Sequence, residues 1–426
     1  MRVLVVGAGG REHAIVRAAA RSARTPELLC TPGNAGIAED ARCLDAGADD
    51  IPAVLSIARD EGVDLVIVGP EGPLVDGLVD ELEEVGIAAF GPSADAAQME
   101  GSKLYAKELM AEAGVPTASH TVLRSHEEAI EHISCASYPA VLKADGLAAG
   151  KGVIICESES AAHEAAAVFF TERRFGGTVV VLEEFLEGEE LSLLAICDGE
   201  NVVALAPAQD YKRIGDADEG PNTGGMGSYS PVPGFDADEI DQIVEDVHRP
   251  VIDAMANRGI PFRGVLYAGL MVTETGPKVL EFNCRFGDPE TQAVLPRLES
   301  DLINLCLASR EPGGLTGAEA AFSDDWAVTV VLASAGYPAS SSKGDVITGL
   351  EEAGGIEGVE VTHAGTAREG EEIVTAGGRV LNVTGLGPTP ADARQRAYDA
   401  ANLIKFEGKQ MRTDIAARAV ERVAAG

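Results

Sequence analysis

Lys143-Ala144-Asp145-Gly146-Leu147-Ala148-Ala149-Gly150-Lys151-Gly152 is the stretch on which the fold turns. It lies between two β-rich runs, 140–143 and 152–156. Its glycines and lysine invite comparison with a P-loop. Only three residues separate Gly146 from Gly150, however, and Gly152 stands where a magnesium-binding Ser or Thr is required. The P-loop reading fails. What remains is a glycine-rich turn between strands, with Lys143 before it and Lys151 at its end, able to close over phosphates and neutralise their charge.

Outward from this turn, hairpin-like runs at 140–143, 152–156, 178–182 and 191–197 surround one helical stretch, 159–171, which predicts a small α+β lobe. The run Val179 to Leu182 leads into Glu183-Glu184-Phe185-Leu186-Glu187-Gly188-Glu189-Glu190. A strand-to-linker backbone of this kind can read an adenine edge while a carboxylate takes ribose hydroxyls. A second lobe spans 201–310, with a long polar loop (Gln209 to Arg213, then Asn222-Thr223-Gly224-Gly225-Met226-Gly227), a helix near 238–258 and two strands joined at Glu274-Thr275-Gly276.

The second of those strands ends in Val279-Leu280-Glu281-Phe282-Asn283-Cys284-Arg285. Strand periodicity puts Glu281 and Asn283 on one face. Two hard oxygen donors side by side suit Mg²⁺, which takes one or two carboxylates and fills its shell with phosphate oxygens and water. A solvated edge strand would alternate similarly, but the charged turn Arg285-Phe286-Gly287-Asp288-Pro289-Glu290 follows at once.

The first hundred residues alternate short apolar strands with helical stretches, among them a single helix over 74–85, and predict a parallel sheet. Gly7-Ala8-Gly9-Gly10 follows the first strand and opens a helix, so it could hold a phosphate or serve purely as a tight turn. Glu12 occupies the place of the third glycine in a dinucleotide fingerprint, which argues against NAD. Pro32-Gly33-Asn34-Ala35-Gly36, after the second strand, lies where open α/β sheets bind ligands. Ser102 can cap a helix ending at Gly114. The expected units are 1–101, 102–312 with a small lobe at about 121–190, and 326–426, the last β-rich and closed by a helix near 391–403.

Composition excludes several classes. The 426 residues carry 69 acids against 33 bases, a formal charge of −36, which disfavours a nucleic-acid partner. Self-repulsion of that size is tolerable when salt screens it, and we read it as adaptation to a salty cytoplasm. Nothing in the chain reads as a membrane span or an export signal. Seven scattered cysteines show no C-x-x-C spacing, which fits a reducing cytoplasm better than disulfides or zinc. With only nine lysines, each one near a glycine loop carries more information.

The segments Val5 to His13, Pro32 to Gly36, Ile67 to Glu71, Lys143 to Gly152, Gln209 to Arg213, Pro221 to Gly227 and Glu281 to Gln292 together resemble the phosphoribosylamine–glycine ligase family over essentially the whole chain. The resemblance implies an ATP-grasp fold with a Rossmann-like N-terminal domain and a small C-terminal domain. It implies a ligase acting on glycine and 5-phosphoribosylamine, with ATP as co-substrate and Mg²⁺ or Mn²⁺ as cofactor, and the expectation is a cytoplasmic monomer. By the same resemblance, Lys103, Lys143, Gly150 and Lys151 contact ATP phosphates, Glu183, Glu184, Phe185 and Leu186 form the adenine hinge, and Glu190 meets the ribose. Glu281 and Asn283 hold the metal. Gly9, Gly10, Asn34, Gly36, Lys212, Arg213, Thr223, Gly224 and Gly225 line the other substrate sites, and Asp210, Arg285 and Asp288 lie beside the reacting groups. Two positions depart from the family pattern: Leu270, where some relatives place a glutamine near the metal, and Ala416, where the family commonly has glycine.

Overall fold

The computed structural model describes residues 1–147, 152–175 and 179–425. At the N-terminus, Arg2–Gly7 pairs in parallel with Glu27–Pro32 on one side and Leu65–Val68 on the other, and Arg42–Cys43 and Ala89–Phe90 complete the sheet at its edges. Val3 to Val6 are wholly buried because helices cover both faces. Each such side chain contributes about 1.5–3 kcal/mol of burial. The expected helix over 74–85 is two, Glu71–Val75 and Leu78–Glu84. Gly77, at φ +89°, breaks it, since a left-handed residue cannot continue a right-handed helix.

Ser102 caps helix Lys103–Ala113, its hydroxyl accepting from Tyr105 N at 3.1 Å, and Gly114 ends it at φ +71°. Beyond it, His120–Leu123, Val180–Glu184, Ala140–Ala144 and Val153–Cys156 form the antiparallel sheet of the small lobe. Leu142, Val180 and Phe169 belong to its separate apolar core.

A second antiparallel sheet runs Val202–Ala204, Glu189–Asp198, Arg263–Thr273, Gly276–Asn283. A third joins distant parts of the chain: Gln209–Asp210 and Gly227–Ser230, which flank the glycine-rich loop, pair onward to Trp326–Ala333, Arg379–Gly387 and Val359–His363. The C-terminal β-rich segment is thus continuous with the loop that follows Asp210. Helix Pro390–Leu403 packs on this sheet.

Among the described residues no helix is long and apolar enough to cross a membrane. All seven cysteines are free.

Candidate active site

Lys143 lies on strand Ala140–Ala144 and reaches one partner on the neighbouring strand Val180–Glu184 and one across the cleft between the lobes. Its Nζ sits 2.9 Å from Glu183 Oε2 and donates to the Leu280 carbonyl at 3.0 Å. Leu280 can accept because the pairing of Gly276–Asn283 with Arg263–Thr273 slips there: Leu270 faces Val279 and Gly269 faces Glu281, leaving Leu280 unpaired. Such a bulge re-aims the carbonyl. The other Glu183 oxygen meets Lys107 Nζ at 3.1 Å. Glu183 is thus a buried carboxylate between two ammonium groups, and only its backbone remains to serve a hinge. Glu184 accepts from Ser119 N at 3.0 Å and pairs with Lys278, Phe185 is half-buried and Leu186 buried.

Glu281 and Asn283 project from the same strand, opposite Gly269 and Tyr267. Burial would raise the Glu281 carboxyl, but Lys212, Lys143, Lys103 and Arg285 more than offset it and hold the carboxyl below its ordinary value. Four cations converging on one carboxylate make a site for a polyanion with its counter-ion. Neither the Glu281 carboxylate nor the Asn283 amide forms a hydrogen bond with any described residue, so both oxygens are available to a hard divalent cation. No cluster of three or more His, Cys, Asp or Glu side chains suited to a metal occurs among the described residues, and magnesium held largely by phosphate needs none. Leu270 is fully buried in the apolar core and offers no ligand.

Lys212 Nζ contacts both Asp210 oxygens at 2.9 Å and Glu190 Oε2 at 3.3 Å. Burial works against its charge, yet Asp210 and Glu190 hold the ammonium well above its ordinary value. Glu290 is buried beside this group and accepts from Tyr267 at 3.1 Å and Ser192 at 3.2 Å. Burial, with Asp210 nearby, raises its carboxyl. Thr223 donates to the Lys212 carbonyl at 2.9 Å and accepts from Gly225 N at 3.0 Å, which fixes the loop. Gly224 N donates to Tyr337 at 3.0 Å, and Pro289 packs on Gly225. Arg213 instead donates to the Gly220 carbonyl within the loop.

Arg285 is clamped by acids from the N-terminal part of the chain: Nε donates to Glu71 at 3.1 Å and Nη2 to Glu100 at 2.7 Å. Glu100 also accepts the Cys284 N–H at 2.9 Å. Lys103 Nζ donates to the Gly146 carbonyl at 3.0 Å, drawing the start of the glycine-rich turn onto helix Lys103–Ala113. Gly150 and Lys151 lie outside the described residues.

The Gly7–Gly10 turn carries its own anion. Glu12 folds back so that its Oε2 accepts the Gly9 N–H at 2.6 Å, filling the space beside Gly7 and Gly69. This is the place a dinucleotide pyrophosphate would need. A cavity of about 390 Å³ opens on the far side, with Gly9, Gly33 and Asn34 on one wall and Gly365, Thr366 and Arg379 on the other. Asp288 lies between the walls. Asn34 braces the cavity: its amide donates to the Ala8 and His363 carbonyls and accepts from Gly36 N and Ile37 N. Gly10 and Gly36 do not line it. Their missing side chains admit Asn382 and the His363 ring respectively.

Lys107, Glu71, Glu100, Glu290 and Arg379 escaped the reading of the sequence. Glu71 and Glu290 lie inside recognised segments, while Glu100, Lys107 and Arg379 belong to no local pattern.

Comparison with known proteins gives three successive family matches: Phosphoribosylglycinamide synthetase N domain over residues 1–100, ATP-grasp (A) domain over 101–291 and C domain over 327–418. The phosphoribosylamine–glycine ligase of Streptomyces coelicolor is 50% identical over 98% of this chain and 99% of its own length. That of Caldanaerobacter subterraneus is 46% identical over 98% of this chain and 100% of its own. The crystal structure of the Thermotoga maritima phosphoribosylamine–glycine ligase superposes with a TM-score of 0.85 at 37% identity, covering 98% of this chain and 100% of that one. A biotin carboxylase domain from Hydrogenobacter thermophilus, solved with MgADP and bicarbonate, shares the fold at a TM-score of 0.70 and 18% identity, over 96% of this chain and 91% of that one. Matched by the three domains of one family in succession and by relatives over nearly its whole length, this ATP-grasp chain belongs to the phosphoribosylamine–glycine ligase family.

Proposed function

We propose that the chain joins glycine to 5-phosphoribosylamine at the expense of ATP, forming glycinamide ribonucleotide, ADP and phosphate in purine synthesis. The observation that carries this reading is the convergence of Lys103, Lys143, Lys212 and Arg285 on Glu281 in the cleft between two sheets. Glycine's carboxylate is a poor electrophile. Transfer of the ATP γ-phosphoryl group to a carboxylate oxygen gives glycyl phosphate and ADP. The phosphoribosylamine nitrogen then attacks the acyl carbon, phosphate departs, and the nitrogen loses a proton.

Phosphoryl transfer depends mainly on positioning and charge neutralisation. Lys103 and Lys143 serve the phosphates, with Lys151, and the backbone after Glu183 receives the adenine, with Glu190 at the ribose. Glu281 and Asn283 would hold Mg²⁺ or Mn²⁺, which would supply Lewis-acid neutralisation of the phosphate charge. Arg285, Asp210 and Asp288 flank the glycine and the transferred group. Lys212, Thr223, Gly224 and Gly225, on the loop pinned to the C-terminal sheet, close over it with Arg213, and Gly9 and Asn34 lie toward the phosphoribosylamine. The working units are 1–101, 102–312 and 326–426, acting as a cytoplasmic monomer.

Purified protein in high KCl with MgATP should release ADP only when glycine and phosphoribosylamine are both present. ADP release that follows bicarbonate instead would transfer the site to the carboxylases that share its fold.

A further inference from the structure

We infer that the C-terminal wall of the cavity, through Arg379, is the anchor for the 5-phosphate of the phosphoribosyl substrate. This rests on the ligase reading above and adds to it the group that selects a phosphomonoester.

The N-terminal glycine turn is the expected cradle for an anion, but the Gly9 amide is already taken by Glu12 at 2.6 Å. Asn34 has no capacity left either, since its oxygen accepts two amides and its nitrogen donates to two carbonyls. The N-terminal wall therefore supplies shape and little charge. Across about 390 Å³ of space stands Arg379, the only cation on the lining among the described residues, on the strand Arg379–Gly387.

Its guanidinium is half used. Nη1 donates to the Gly224 and Asp288 carbonyls, the latter at 2.8 Å, and Nη2 donates to Asp288 Oδ2 at 2.8 Å. Nε and the second Nη2 hydrogen have no partner among the described residues. Three anchored hydrogens fix the plane of the fork, and two parallel N–H groups stay free to meet two oxygens of a phosphate, the geometry in which arginine outperforms lysine. Phosphate held at this wall would lie opposite Gly9 and Gly33, with the sugar extending into the cavity between them. In a chain of net charge −36, a dianion needs such a cation to enter at all.

The test is direct binding of ribose 5-phosphate to the full chain by calorimetry, with MgADP and glycine present, so that it does not depend on turnover. Wild type should bind ribose 5-phosphate and not ribose. Arg379→Met should weaken binding at least tenfold, and Arg379→Lys should recover it only in part. Ala376→Asp, which places a negative charge on the same wall without touching the Arg379 contacts, should also weaken it tenfold and guards against misfolding of the arginine variants. In turnover, Ala376→Asp should raise the KM for phosphoribosylamine and leave those for ATP and glycine in place. Absent binding by wild type, equal binding of ribose, or unchanged affinity in Arg379→Met and Ala376→Asp would overturn the assignment. If the amine acceptor proves to be another compound while phosphomonoester binding still depends on Arg379, the ligase reading fails and this one stands.

Discussion

His13 Nδ1 accepts the backbone N–H of His363 at 2.8 Å, a bond that ties the first helix to the C-terminal sheet. The other ring nitrogen, Nε2, lies 2.9 Å from Asp40, so His13 must be neutral and protonated only at Nε2 to make both contacts. Arg17 and Asp40 face the pair as well.

Acid should therefore loosen the molecule well above the carboxylate range. Burial lowers His13, lowers His363 to about 3 and lowers His248, buried against the Leu193 carbonyl, to about 4. Below pH 6.5 the unfolded chain takes up protons that the folded one refuses, so stability falls as pH falls, by up to roughly 1.4 kcal/mol per pH unit per histidine. Asp40, depressed to about 2, adds its own loss only below its unfolded value of 3.8. Urea midpoints measured from pH 7 to pH 5 should drop steadily. A flat profile would contradict the buried neutral histidines.

Glu183 should matter more to stability than either lysine it holds. Replacing it with Gln leaves two buried ammonium groups without a counter-charge, a loss of about 3–5 kcal/mol. Lys107→Met leaves a neutral Lys143–Glu183 pair and should cost less. Urea denaturation of the two variants gives the order, and the reverse order would refute the arrangement.

Glu281→Gln should lower kcat by about a hundredfold or more, since on the proposed reading it removes the charge that holds the cation. Asn283→Ala should act more weakly and raise the Mg²⁺ concentration needed for half activity. Full turnover by Glu281→Gln at ordinary Mg²⁺ would remove it from the metal site.

Much of this site is readable where the signal is local. Ser102 and Gly114 bound their helix, and Glu281 and Asn283 share a face by strand parity alone. The Leu280 bulge lies just outside that pair and leaves their parity intact. The clamps are not readable, because their partners are remote: Arg285 meets Glu71 across 214 residues and His13 meets His363 across 350. Two-residue strands such as Gln209–Asp210 are too short to show a period, so the continuity of the glycine loop with the C-terminal sheet emerges only in three dimensions. Ala416 stands where the resemblance leads one to expect glycine. It takes φ +60°, and its N–H donates to Tyr211 at 2.9 Å, so the backbone keeps a glycine-like conformation at the cost of some strain.

The acidic surface predicts a salt response. At about 1 M salt the screening length shrinks to roughly 3 Å, which removes most repulsion between exposed carboxylates. Ligase activity should rise with KCl toward molar concentrations, and a maximum in dilute buffer would refute adaptation to salt.

On the proposed mechanism, glycine is activated as an acyl phosphate. Turnover with glycine labelled with ¹⁸O in its carboxylate tests it most directly. One labelled oxygen should appear in the released phosphate for each glycinamide ribonucleotide formed. Phosphate free of label, with product still made, would contradict the account.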